Sequence, residues 1–129
     1  MADDNLDFEI AFFEKLLEKK PDFVEALTAL GDAYTQKGLY EKGLETDMRL
    51  VKLRPASPII HYNLACDYSL LKQPELCLRA LETAIKLGYR EFDYMAKDPD
   101  LGYIRQDTRF RELIAKYKER NIPKIKKYE

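Results

Sequence analysis

Side chains with the chemistry to attack a substrate or bind a metal are scarce in this sequence. His61 is the one histidine and Cys66 and Cys77 are the two cysteines among 129 residues. A closed zinc site takes four nitrogen or sulfur ligands, and two cysteines cannot build a disulfide framework. No metal or other cofactor is therefore expected. The sequence has no glycine-rich phosphate loop, no serine in a nucleophile elbow and no pair of histidines at metal-binding spacing on a helix. It reads as a non-enzyme. A second chemistry lies at the C-terminal end, where Lys116, Lys118, Arg120, Lys124, Lys126 and Lys127 run with Tyr117 and Tyr128 between them. Interleaved cations and aromatics can contact nucleic acid. Glu112 and Glu119 dilute the run, and a charged tail beyond Pro123 is ordinarily solvated. Nucleic acid is an alternative partner, not the expected one.

The bulk charge agrees with that ranking. Lys and Arg number 22 against 23 Asp and Glu, a net charge of −1 that creates no overall field toward nucleic acid or an anionic membrane. The charge is graded along the chain, with 6 basic and 12 acidic groups in residues 1 to 50, and 7 basic and 3 acidic in residues 111 to 129. The start is acidic, at Asp3, Asp4 and Asp7, and no apolar run is long enough to span a bilayer, so a cytoplasmic protein without a membrane partner is expected. Hydrophobic residues make up 46% of the chain, enough to bury a core and to exclude a disordered one. Leu, Ala, Glu and Lys are abundant and Val is scarce, which favours helices. An all-α fold of one domain is expected.

The elements that must carry these side chains emerge when the sequence is slid against itself. At an offset of 34, Leu30 meets Leu64, Tyr34 meets Tyr68, Leu44 meets Leu78, Leu53 meets Leu87 and Pro21 meets Pro55. The matching apolar positions lie three or four residues apart, the spacing of one helical face. Each period is thus a pair of helices. The first pair is placed from about Asp22 to Lys37, stopped by Gly38, and from about Tyr40 to Leu53. The second is placed from Pro58 to Leu71 and from Pro74 to Leu87, with Gly88 as its stop. Loops this short force antiparallel neighbours.

This pattern resembles the tetratricopeptide-repeat family, through Leu27, Leu30, Gly31, Tyr34, Gly43 and Pro55 in one unit and His61, Leu64, Ala65, Tyr68, Cys77, Leu81 and Ala84 in the next. Small residues at Gly31, Gly43, Ala65 and Cys77 let paired helices approach closely. The implied fold is a right-handed helix-turn-helix solenoid of about seven helices. A half-unit helix at 6–20 precedes repeats at 22–55 and 56–89, a capping segment follows at 90–120, and a basic tail ends the chain at 121–129. The strings His61 to Cys66 and Asp98 to Leu101 look like those of small bacterial repeat proteins. In the cap, Leu101, Ile104, Phe110, Leu113 and Ile114 supply the apolar face that a terminal unit needs.

What the resemblance implies about function is a protein or peptide partner held along the concave surface of the first helices. Residues just off the packing positions would face it: Glu25, Thr28, Asp32 and Gln36 from one unit, and Ile59, Tyr62, Cys66, Ser69 and Leu70 from the other. Family members that clamp a chaperone's terminal carboxylate use basic and amide donors. Here Thr28, Asp32, Tyr62 and Cys66 stand in those places, so an apolar or basic segment is the better ligand. Tyr62 is the expected aromatic anchor. Cys77 reads as a small core residue and Cys66 as a groove thiol with no cation to activate it. Two departures from the family pattern, Asp47 and His61, fall near one seam, and Asp47 is expected to approach His61 or another donor such as Tyr62 there, the alternative being that it tilts to solvent. A further alternative is a self-associating subunit whose N-terminal half-unit completes another chain's array.

Overall fold

The structure, a computed structural model, describes the backbone of residues 2–120 and the side chains of residues 5–120. Asp3 and Asp4 as side chains, and the tail residues Lys124, Lys126, Lys127 and Tyr128, lie outside that range. Among the described residues the chain is all-helical. Helix α1 spans Ala2–Lys19, α2 Val24–Lys37, α3 Tyr40–Leu53, α4 Pro58–Leu70, α5 Pro74–Lys86, α6 Phe92–Met95 and α7 Thr108–Arg120. Two short 3-10 turns, Pro99–Leu101 and Ile104–Gln106, sit between α6 and α7. Each helix from α1 to α5 packs against its sequence neighbour, so the array is a solenoid rather than a closed bundle.

Local chemistry sets the breaks. Gly38 takes φ 85° and Gly88 φ 122°, left-handed conformations that close α2 and α5 and that glycine adopts without steric cost. Lys72, one 34-residue period after Gly38, takes the same kind of conformation at φ 59°. At the other ends, Ser57 accepts the Ile60 N–H to cap α4, and Pro58 and Pro74 occupy first-turn positions where a missing N–H costs nothing.

The core has two parts. Ile10 and Leu17 of α1 join Leu27, Leu30, Tyr34 and Leu50 to fill the first. The Tyr34 hydroxyl donates to Glu14, and Lys37 pairs with Asp7, so polar contacts hold α1 along the same face. The second part gathers Leu81 and Ile85 of α5 with Met95, Leu101, Ile104 and Phe110. Those four belong to the segment from α6 to α7, which packs its apolar residues into one cluster with those of α5. Phe92 and Met95 of α6 are buried as well. Ser69 is fully buried beneath this segment, and its Oγ accepts the Ile104 N–H at 3.4 Å. The expectation that Ser69 faces the groove is therefore corrected: it bonds the cap.

The charged outer surface of α7 also docks locally. Arg109 donates to both carboxylate oxygens of Glu75 on α5, at 2.8 and 2.9 Å, and the Tyr117 hydroxyl donates to Glu82 at 2.9 Å. Lys116 lies 3.7 Å from Glu82 and Lys118 lies 3.2 Å from Asp93. Of the described part of the basic run, Lys116 and Lys118 thus face carboxylates of their own chain, while Arg120 lies over the Tyr117 ring at 5.3 Å.

Candidate functional site

The concave side holds a cavity of about 390 Å³ between α2, α4 and the closing segment. From α2 come Asp32, Thr35 and Gln36; from α4 come Ile59, Tyr62, Asn63, Cys66 and Asp67. Asp47 of α3 reaches its floor, and Tyr89, Tyr94, Asp98 and Asp100 form its far wall. Five of the lining residues are aspartates and none is Lys, Arg or His. The face is acidic and aromatic.

Of the residues expected to face a groove, Asp32, Gln36, Ile59, Tyr62 and Cys66 are brought together here. Glu25, Thr28 and Leu70 do not line it; Thr28 turns its hydroxyl back to the Val24 carbonyl at 2.9 Å. Tyr62 is not a free anchor. It is 3% exposed, its ring stacks on Tyr89 with centroids 4.2 Å apart, and its hydroxyl donates to Asp98 Oδ2 at 2.5 Å. Burial, with Cys66 and Asp98 beside it, keeps that phenol protonated. The accessible apolar surface comes instead from Ile59, 52% exposed, and Tyr94, 47% exposed.

Asp98 organises the far wall. Its Oδ1 accepts the Asp100 N–H at 3.0 Å, opening the turn at Pro99, while Oδ2 takes the Tyr62 hydroxyl. Arg105 donates to the carbonyls of Asp98 at 2.7 Å and Met95 at 3.2 Å, which fixes the backbone that carries the carboxylate. Cys66 lies with Sγ 3.8 Å from Asp98 Oδ2. Burial first, then the charge of Asp98, raises its thiol well above the ordinary range. It is held as the thiol, the opposite of activation. Cys77 is fully buried and raised to about 12 by burial, in keeping with a packing role.

The floor is a pair of buried carboxyls. Asp47 and Asp67 are 7% and 3% exposed and lie together across the seam, where a proton on either one can bridge them. This overturns the expected pairing of Asp47 with His61. The His61 ring turns to the end of the preceding loop, where Nε2 meets the Pro55 carbonyl at 2.8 Å. Asp47 instead crosses the seam to Asp67, one turn further along α4 than Asn63. Glycine makes the room for one of them: a methyl on Gly31 would stand 3.1 Å from Asp47 Oδ1. A small residue read as a contact point between helices thus also houses a carboxyl. As carboxylates, both could only accept, and Asp67 Oδ2 would be a buried oxygen with no donor. Burial, then the bond to Asp47 and the charges of Asp47, Asp100 and Asp32, raises the Asp67 pKa. Burial also raises Asp47, while the bond from Asp67 opposes that rise. Burial raises both groups, so the pair holds one proton between its two carboxyls.

Sequence reasoning missed Asp67, Asp98, Asp100, Tyr89 and Tyr94. Tyr89 ends the second repeat, and Asp98, Asp100 and Tyr94 lie in a segment that was read for its apolar residues as a cap. Asp67 carried a signal, since it directly follows the groove residue Cys66 on a helix otherwise apolar at that turn. Among the described residues no three His, Cys, Asp or Glu side chains are grouped to hold a metal ion. No helix among them is long and apolar enough to cross a membrane.

No protein-family model matches the chain. It is 32% identical over 109 residues to a chloroplastic protein of Arabidopsis thaliana, a match covering 82% of this chain and 31% of that protein. A shorter stretch of 43 residues, 33% of this chain, is 54% identical to 4% of the Protein CTR9 homolog of the same plant. The chain therefore spans less than a third of the length of either relative. In structure it is similar to MamA, with a TM-score of 0.73 and 24% identity over 92% of this chain and 63% of that one. That likeness establishes the fold: an all-α helical-repeat solenoid.

Proposed function

We propose that this chain is a non-catalytic interaction module that holds a segment of a protein partner along its concave groove. The observation that carries this reading is the groove itself. The array is covered at one end by α1 and at the other by α6 to α7, yet it leaves Ile59 and Tyr94 exposed at the rim of a cavity lined by aspartates. An aromatic and an aliphatic rim around oriented polar groups is the composition of a recognition surface. The resemblance to tetratricopeptide repeats supports the same use of the same face.

The test is affinity capture from the source cell with the wild type and with a rim variant, Asp32→Lys plus Tyr94→Ala. Both positions are solvent-exposed, so the fold is kept. The reading expects specific partners to be lost by the variant and kept by a control substitution on α5, Arg79→Ala. Equal recovery by all three would reject the groove.

One observation favours a second reading. Phe8 and Phe12 on α1 are 74% and 54% exposed, a bare aromatic pair at the start of the array. End-to-end association through α1 would give a mass that rises with concentration and falls back with Phe8→Ser plus Phe12→Ser.

A further inference from the structure

We propose that the groove receives an arginine side chain of its partner over the Asp47–Asp67 pair, and that the proton shared by the pair is released as the guanidinium arrives. This rests on the groove being the binding face and names what that face reads.

Three features of the cavity converge on such an occupant. The first is charge: among the described residues five aspartates and no basic side chain line one cavity, so an anionic segment is repelled and a neutral one leaves the carboxylates without compensation. The second is the buried oxygen. Asp67 lines the cavity while its Oδ2 is enclosed and meets no donor among the described residues, so the carboxyl calls for a proton or a neighbouring cation. The third is shape. Tyr94 stands exposed beside the stacked Tyr62 and Tyr89, giving the acidic floor an aromatic flank. A guanidinium is planar, stacks on aromatic faces and donates in a fork to carboxylates, whereas an ammonium is a strongly hydrated point charge.

Proton exchange follows from the same geometry. Asp67 feels Asp32 from α2, Asp47 from α3 and Asp100 from the closing segment; Asp98 lines the same cavity, and Tyr62 and Cys66 stand on its own helix. All of these are acidic or neutral, so in the free protein the pair keeps a proton. A cation placed among them favours the ionised form, and the pair then gives its proton to solvent. No bond other than that carboxyl O–H breaks. His61 takes no part, because its ring is turned to the Pro55 carbonyl outside the cavity.

The test begins with a random twelve-residue peptide library lacking histidine, selected on the full chain at pH 8. Selected peptides are synthesised with acetylated N-termini and titrated calorimetrically in two buffers of different ionisation enthalpy. The proposal expects arginine to be enriched, affinity to rise by up to about tenfold per pH unit, and a released proton to appear as a buffer-dependent enthalpy. Asp67→Asn, and separately Asp47→Asn, should weaken binding about tenfold and abolish both the pH slope and the proton release. Amide shift mapping places each peptide. Peptides that map to the groove but lack arginine, or that bind with no proton released from the wild type, overturn this inference and leave the groove reading intact. Peptides that map elsewhere overturn both. Should either variant fail to fold, the proton count on the wild type alone decides.

Discussion

At the scale of single residues, the pair Asp47 and Asp67 makes stability depend on pH in an unusual direction. Burial raises the Asp67 pKa above its ordinary 3.8, so the folded chain binds this proton more tightly than the unfolded chain does. Stability contributed by the protonated pair is complete below the unfolded value and is lost as pH rises through the window between that value and the raised one. Surface carboxylates paired with cations act in the opposite sense. Asp107, lowered to about 2 first by its side-chain bond to Arg109, contributes stability above its unfolded value that is lost as pH falls toward 2. Urea unfolding between pH 4.5 and 8.5 should show wild-type stability declining relative to Asp67→Asn, which carries no titrating proton. Parallel curves for the two proteins would show that Asp67 is ionised throughout. A second residue-scale expectation concerns Tyr62. Tyr62→Phe keeps the ring stacked on Tyr89 but leaves buried Asp98 Oδ2 without its hydroxyl donor, so it should cost about 1–3 kcal/mol, read from the urea midpoint.

At the scale of elements, the helix stops decide where the groove walls stand. Gly38 and Lys72 occupy the same place in successive repeats, and both take a left-handed backbone. A lysine there costs roughly 1–2 kcal/mol that a glycine does not. Lys72→Gly should therefore stabilise the protein by about 1 kcal/mol after the added chain entropy of glycine is subtracted, and an unchanged or lowered midpoint would contradict that. The closing segment is a second expectation at this scale. Met95 is fully buried against Leu81 and Ile85, so Met95→Ala should destabilise by about 2–5 kcal/mol in chemical denaturation. A chain ending at Gly88 should expose that same core and aggregate. The elements were legible in the sequence because glycine, proline and the 34-residue spacing act locally: the start of α3 at Tyr40 and its end at Leu53 follow from those signals alone. The floor and far wall of the groove were not. Whether Asp47 meets His61 or Asp67 depends on the angle at which α3 crosses α4, a tertiary quantity that two aligned repeats do not encode. Tyr62 looked like an anchor because its position faces the concave side, yet the chain that follows α5 folds back and covers it with Tyr89. Ser69 was hidden by the same return of the chain.

At the scale of the whole molecule, the array separates its charges by face. The outer surface of α7 matches cations to carboxylates of its own chain, as Arg109 does with Glu75, whereas the concave face gathers aspartates with no cation among them. Charge left uncompensated on one concave surface costs folding stability, and a partner that neutralises it recovers that stability on binding. On the proposed function, this face is where a partner sits. Amide chemical-shift mapping of the full chain against a selected arginine-bearing peptide tests it most directly. Shifts should saturate together at Asp32, Ile59, Asn63, Asp67, Tyr94 and Asp100, with the outer faces of α5 and α7 unmoved. Saturating shifts confined to α1 or α7, with those groove residues unchanged, would contradict it.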